Sequence, residues 1–446
     1  MPSPSELWRT QAGSIMRLGG PLIVNYLAVA GMGLADTLMS GRLGAASLAA
    51  VAVGNSVWML NFTACLGVLM AISPIIARLY GAGQVSKVGR YTRHGMYLGL
   101  ALGIIVLVAG RLLMQAALEV MSIDEGFRDL TLEYARAVLL GAPGIFIFLA
   151  LRFTTEGVGY TRPIMFTSVF SLICNVFLNY VLMFGHFGAP ALGAEGCGYA
   201  SAITMWIVAI ALGSYMTLSP RLRELKIFTR IGQFRPDLFR EIIVLGVPIS
   251  ITITAEVGLF SAISILVGTR GAEITAAHQI ALSYASAMFM VPLALSSATT
   301  VQVGHMLGAG NPVQARIAGF TGIGMCAAFM AVSATVLLVF RDVIVTLYTD
   351  DPVVTGIAMS LMLVAAIFQV ADGIQIGAAA SLRAYKDTAF PMVINIFSYW
   401  VVAFPLGYMA AITYRLPANQ IWVAFIAGLG IAAVLLTWRF NRLSRV

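Results

Sequence analysis

Long apolar stretches recur along the chain, separated by short polar breaks, and their apolar positions run on continuously instead of alternating in twos. A helix needs about 20 such residues to cross a bilayer, whereas a barrel strand alternates over about ten. The pattern therefore predicts helical spans over 14–39, 48–76, 92–113, 131–152, 161–187, 196–217, 241–267, 274–303, 317–340, 355–382, 389–413 and 419–438. The expected fold class is an all-α polytopic membrane protein with twelve transmembrane helices. The first stretch runs past Asp36 with no small-residue cleavage site, so it is expected to stay as a span and not to be removed as a signal peptide.

The pattern also repeats. Displaced by 227 residues, Leu18, Gly19 and Pro21 fall on Leu245, Gly246 and Pro248, and Gly41 and Ala45 on Gly268 and Ala272. The same displacement brings Gly81, Ala82 and Gly83 onto Gly308, Ala309 and Gly310, and Thr161 onto Thr388. A constant offset at Gly and Pro positions is not a composition effect. Six spans per half is an even number, so both halves insert with the same orientation, as pseudo-symmetric six-helix bundles related by an axis along the membrane normal. The expected domains are an N-terminal lobe over 1–219, a basic cytoplasmic connector over 220–240, and a C-terminal lobe over 241–446. Pro21, Pro74, Pro143, Pro248, Pro292, Pro391 and Pro405 lie in or near spans, where proline removes a backbone donor and bends a helix.

Composition fits the spans. Hydrophobic residues make up 59% of the 446 and charged ones 10%, with a mean hydropathy of +0.90, which excludes a soluble globular surface. The net charge of +8 would suggest nucleic acid, but 20 of the 27 Lys and Arg fall in the segments on the side of the chain termini. That asymmetry is the positive-inside rule, and it predicts a bacterial-type inner membrane with both termini in the cytoplasm and no nucleic-acid partner. Cys65, Cys174, Cys197 and Cys326 show neither CxxC nor Cys/His spacing, so disulfides and zinc are not expected. His94, His186, His278 and His305 form no HExxH, and neither a GxSxG elbow nor a nucleotide-binding GxxxxGK[ST] occurs. The expectation is a transporter, not an enzyme, with no nucleotide and no cofactor, driven by an ion gradient.

Three acids stand inside apolar sequence: Asp36 in GMGLADTLMSG, Glu256 in ITITAEVGLF and Asp372 in FQVADGIQIG. Each costs on the order of 2.5 to 3.5 kcal/mol in the membrane unless it faces a cavity, a partner or an ion path. No Lys or Arg is expected deep enough to pair with them. Burial favours the neutral acid and a bound cation favours the carboxylate, so such groups can exchange protons for metal or organic cations. Asn175 and Asn179 lie one helical turn apart and offer amide oxygens, for ligation or for interhelical hydrogen bonds; Gln279 can serve either role. Asp36 and Asp372 as a carboxylate pair of an intramembrane enzyme is a distant alternative.

Several linked stretches resemble the multidrug and toxic compound extrusion family in its bacterial, NorM-like branch. They are ADTLMSGRLG, AAVAVGNSVW, LYGAGQ at 79–84, TEGVGYTRP at 155–163, NVFLNYVLMFG, GAEGCGYASA, AHQIALS at 277–283 and GHMLGAGN at 304–311, together with Glu256 and Asp372. The resemblance covers nearly the whole chain. It implies two six-helix lobes around a central cavity and export of small cationic amphipathic drugs and xenobiotics in exchange for Na⁺ or H⁺, in contact with membrane lipid and as a monomer. It assigns Asp36 and Asn175 to a first-lobe cation or proton site, and Glu256 and Asp372 to a second-lobe site that would hold the metal if Na⁺ is the coupling ion. Asp350 and Asp351 resemble substrate-contacting residues of some relatives, and Asp36, Asn179 and Gln279 join them as candidate substrate contacts. Asn179 stands where other branches place an acid, and Phe368 where some sodium-coupled relatives have tyrosine. The rival expectation is a flippase for a lipid-linked saccharide or peptidoglycan precursor, whose anionic cargo would call for basic residues in the cavity.

Overall fold

The structure is a computed structural model that describes residues 4–120, 125–228 and 235–445. Every regular element among them is helical. In chain order these are α1 (Pro4–Arg42), α2 (Ala45–Met70), α3 (Ile72–Gly81), α4 (Val85–Val120), α5 (Glu125–Leu139), α6 (Ala142–Gly157), α7 (Arg162–Phe184), α8 (Gly193–Leu218) and α9 (Pro220–Arg223). The second half holds α10 (Pro236–Gly268), α11 (Ala272–Gly308), α12 (Pro312–Thr346), α13 (Pro352–Ala384), α14 (Ala389–Ile396), α15 (Phe404–Tyr408) and α16 (Ala418–Leu443). Two π-helical segments, Phe397–Ala403 and Met409–Thr413, alternate with α14 and α15 within one span. Proline opens α7, α12 and α13, where its missing N–H has no partner to lose. Gly185, left-handed at φ 76°, closes α7.

Eleven helical stretches are long and apolar enough to cross a membrane, and α5 with α6, bent by 44°, makes the twelfth. The twelve-helix all-α expectation holds. The fourth span is this bent pair, and the second is α2 and α3 taken together.

The repeat is written into the backbone. The ends of α2–α3, Ala45 and Gly81, recur 227 residues on as the ends of α11, Ala272 and Gly308; the starts of α4 and α7 recur as those of α12 and α14. Left-handed residues recur at the same displacement: Gly44 and Gly271 (φ 114° and 117°), Gly83 and Gly310 (70° and 71°), and Gly159 and Lys386 (78° and 62°). Lys386 holds a conformation that glycine takes without strain in the other half.

The chain packs as two compact units, Val24–Ser250 and Met1–Ile23 with Ile251–Val446. Both divisions fall inside helices, α1 and α10, two residues past Pro21 and Pro248, and not in the expected 220–240 connector. Residues on either side of 229–234 are held within the Val24–Ser250 unit by α4. The Arg93 guanidinium donates to the carbonyls of Lys226 (2.9 Å) and Ile227 (3.1 Å), the Arg235 N–H donates to His94 Nε2 (2.9 Å), and the Tyr91 hydroxyl donates to Glu241. Residues 229–234 of the expected connector, Arg230 among them, and Asp124 lie outside the described residues.

Within the Val24–Ser250 unit, α4 meets α6 along Gly95, Gly99 and Gly103, one residue per helical turn. A Cβ at Gly99 would lie 2.5 Å from the Phe146 carbonyl oxygen, so glycine sets how closely the two backbones approach. The other unit has a larger aromatic core: Phe368 packs against Trp422 (5.5 Å between centroids), Trp422 against Phe425 (5.5 Å), and Phe425 stacks on Phe260 (4.7 Å).

Candidate functional site

The two units each carry an acid site. In the Val24–Ser250 unit, Asp36 lies half-buried toward the end of α1. Asn175 and Asn179, one turn apart on α7, face it: Asn179 Nδ2 donates to Asp36 Oδ1 at 2.6 Å and, at 3.3 Å, to Asn175 Oδ1. The side chains of Cys197 and Ser201, one turn apart on α8, lie near Asp36 and act on it electrostatically. The site therefore gathers helices from the first, fifth and sixth spans around one carboxylate with neutral neighbours. Asn179 Oδ1 is buried and has no hydrogen-bond partner among the described residues.

In the other unit, Glu256 on α10 is half-buried, and Asp372 on α13 is only 5% exposed. The two are close enough to act on each other electrostatically, and the buried Tyr399 lies in reach of both. Trp400 Nε1 donates to the Ala255 carbonyl (3.2 Å), which fixes the π-helical turn beside Glu256. A π turn displaces the residues after it relative to an α-helix and is frequent at functional sites; here it presents Ser398 and Tyr399 to the interior. Asp372 Oδ1, Gln369 Nε2, Gln375 Oε1, both amide atoms of Asn395, Ser398 Oγ and Tyr399 Oη are all buried without a hydrogen-bond partner among the described residues. Buried polar atoms are nearly always paired, so this density of open groups is the chemical signature of the unit. The neighbouring Gln369 oxygen accepts from Ser333 Oγ (2.8 Å).

The structure departs from the expectations in several respects. Arg383, on α13 eleven residues past Asp372, is 8% exposed and acts on Glu256 only through a longer-range electrostatic interaction. Arg152, expected at a cytoplasmic span end, is 6% exposed. With the Asn25 amide turned so that its nitrogen donates to Ser168, the Asn25 oxygen accepts from Arg152 Nη2 (3.2 Å), and the Arg152 guanidinium lies over the Tyr26 ring (5.0 Å). Glu156 is a fourth buried acid, 1% exposed, and accepts from Ser73 Oγ at 3.2 Å. The buried charges are therefore of both signs. Gln279 is exposed and makes no hydrogen bond among the described residues. Its neighbour His278 is the buried group, accepting from Trp422 Nε1 (3.0 Å) at Nδ1 and contacting Ser264 Oγ (2.8 Å) at Nε2. Asp351 caps α13, accepting from the N–H groups of Val353 (2.8 Å) and Val354 (3.2 Å), while Asp350 is exposed beside it. The Phe368 ring is buried in the aromatic core and offers no oxygen to an ion. Among the described residues no cluster of three His, Cys, Asp or Glu side chains is placed to hold a metal ion.

One family model, MatE, matches the chain twice, over residues 21–181 and again over 248–409. The chain belongs to the MatE family. MATE proteins are secondary transporters, generally of multidrug efflux, and not enzymes, so this is a multi-pass membrane transporter. The starts of the two MatE matches, at Pro21 and Pro248, carry the same 227-residue displacement as the sequence repeat. Solved structures of similar fold include a eukaryotic MATE transporter, 20% identical over 98% of this chain and 99% of that one, with a TM-score of 0.88. A multidrug resistance MATE transporter of the MOP superfamily in its outward-facing conformation is also 20% identical, over 99% and 98%, at 0.87. A MOP superfamily transporter from Pyrococcus furiosus, described as having a binding pocket of reversed polarity that suggests a different function, is 20% identical over the full length of both chains, at 0.85.

Proposed function

We propose that this MATE protein is an antiporter that exports small cationic amphipathic drugs and xenobiotics in exchange for H⁺ or Na⁺ by rocker-switch alternating access. It works as a monomer in a bacterial inner membrane with both termini in the cytoplasm. The observation that carries the reading is the Glu256 and Asp372 pair, two carboxylates in electrostatic reach of one another and of the buried Tyr399, with Asp372 Oδ1 buried and without a partner among the described residues. Two adjacent charges in a low-dielectric interior are costly, and one proton or one monovalent cation on the pair relieves their repulsion. Loading and unloading Glu256 and Asp372 thus changes the charge of this unit, which is what coupling to a gradient requires. If Na⁺ is the ion, the Glu256 and Asp372 carboxylates are the groups that would hold it; Phe368 supplies no oxygen.

Asp36 plays a different part in this scheme. Its hydrogen bond from the neutral Asn179 amide stabilises the carboxylate without a paired cation, so it is poised to meet a cationic substrate or a proton together with Asn175 and Asn179. Asp351 is occupied as a helix cap, which leaves Asp350 as the more available substrate contact of the two.

Buried Arg152 and Arg383 are the observation that favours the flippase reading. Arg152 is accounted for locally by Asn25 and the Tyr26 ring. Dye efflux from proteoliposomes carrying either a sodium or a proton gradient separates the two functions. Export of an organic cation under one of the gradients supports antiport; failure under both, with translocation of a lipid-linked anionic saccharide, supports the flippase.

A further inference from the structure

Between α4 and α5 in the Val24–Ser250 unit lies a groove of about 460 Å³ whose walls are of two kinds. Its polar lining comes from Arg111 and Gln115 on α4 and Arg136 on α5, and its apolar lining includes Met114, Leu132 and Leu139. Met114 belongs to the small core that joins α4 to α5, so the groove is backed by packed structure and is not a gap between loose side chains. Both arginines are exposed, and neither has an ion pair or hydrogen bond to any described residue. Glu133, one turn before Arg136, makes no ion pair with it, and Glu119 pairs with Arg128 instead (3.7 Å). Among the described residues no acid lines the groove.

The surroundings are those of a lipid-facing surface. Ile105, Val108, Leu112 and Leu113 on α4 are between 52% and 68% exposed, an apolar surface that runs on either side of Arg111. Two unpaired guanidinium groups beside an apolar surface lack an anion. An Arg fork matches a phosphate in geometry as well as in charge.

We propose that this groove is a binding site for one anionic phospholipid of the surrounding membrane. Its phosphate is held between Arg111 and Arg136 with Gln115 as a further donor, and an acyl chain lies over Met114, Leu132 and Leu139. The lipid bridges α4 to α5, the first limb of the bent fourth span, and so stabilises that bend. The site is separate from the acid sites and does not depend on the transported ion or cargo.

The test is native mass spectrometry and thermal melting of the purified full-length protein in detergent, titrated with phosphatidylglycerol or with phosphatidylcholine of the same acyl chains. The wild type is expected to retain one phosphatidylglycerol, in preference to phosphatidylcholine, and to melt higher with it. Replacing both arginines, Arg111→Gln with Arg136→Gln, should weaken that binding about tenfold or more, since both charge-assisted contacts to the phosphate are lost. Arg111→Lys with Arg136→Lys should bind at an intermediate level, and the control Arg341→Gln should bind as the wild type does. Equal retention of the two lipids by the wild type, or undiminished phosphatidylglycerol binding by the Gln pair, overturns the proposal. So does equal stabilisation by inorganic phosphate alone, which would make the ligand a free anion and not a lipid.

Discussion

Asp36 and Asp372 are both intramembrane acids, but their surroundings assign them different chemistry. Asp36 accepts from the Asn179 amide of α7 with Cys197 and Ser201 of α8 nearby, whereas Asp372 has an oxygen with no partner among the described residues and another acid in reach. Asp372→Asn and Glu256→Gln keep the size of each side chain and remove its charge. Each is expected to lower gradient-driven dye efflux about tenfold or more, the equivalent of roughly 1.4 kcal/mol of differential binding, with normal membrane insertion on a blot of the membrane fraction. Asp351→Ala provides the contrast: loss of the α13 cap should cost about 1 kcal/mol, seen as a lower melting temperature in detergent, while efflux by the folded protein is kept. Loss of efflux without loss of stability would instead make Asp351 a substrate contact. The three acids and the Asn175/Asn179 pair were legible because carboxylates interrupt hydropathy and a four-residue spacing marks one helix face. Cys197 and Ser201 were not, since small polar residues in an apolar helix read equally as packing surface. Glu156, Arg152 and Arg383 lie near span ends, where hydropathy cannot separate a residue at the interface from one folded inward.

At the scale of elements, close approach of α4 and α6 depends on glycine. Gly99→Ala places a methyl 2.5 Å from the Phe146 carbonyl and should destabilise by roughly 1 to 3 kcal/mol, as overpacking does. Gly13→Ala meets nothing within 4 Å and should leave the melting temperature unchanged or slightly raised. A thermal scan of the two purified variants checks both. Apolar runs located the spans well, because each helix must satisfy its own backbone in lipid and so announces its length. Hydropathy could not show how a span is built. The π turns at Phe397–Ala403 and Met409–Thr413, the 44° bend between α5 and α6, and the break at Ala71 all alter hydrogen bonding without altering apolar character.

At the scale of the molecule, duplication was legible as a single offset, because turns need left-handed residues at fixed places and both halves preserve them. The packing division was not legible. A sequence is divided by its polar connectors, whereas the chain packs with divisions inside α1 and α10, just beyond the paired Pro21 and Pro248. Topology reporters fused after Arg221 and after Asp350 should report cytoplasmic and external locations respectively; the reverse result would invert the orientation that the positive charges imply. The most direct test of antiport is counter-ion movement itself. Proteoliposomes are loaded with a pH-sensitive or a sodium-sensitive dye, and an organic cation is added to one side. With the wild type, entry of the cation should be accompanied by movement of H⁺ or Na⁺ in the opposite direction, and with Asp372→Asn that ion flux should vanish. Cation transport by the wild type with no opposing ion flux, or a flux that survives in the variant, would contradict coupling through the Glu256 and Asp372 pair.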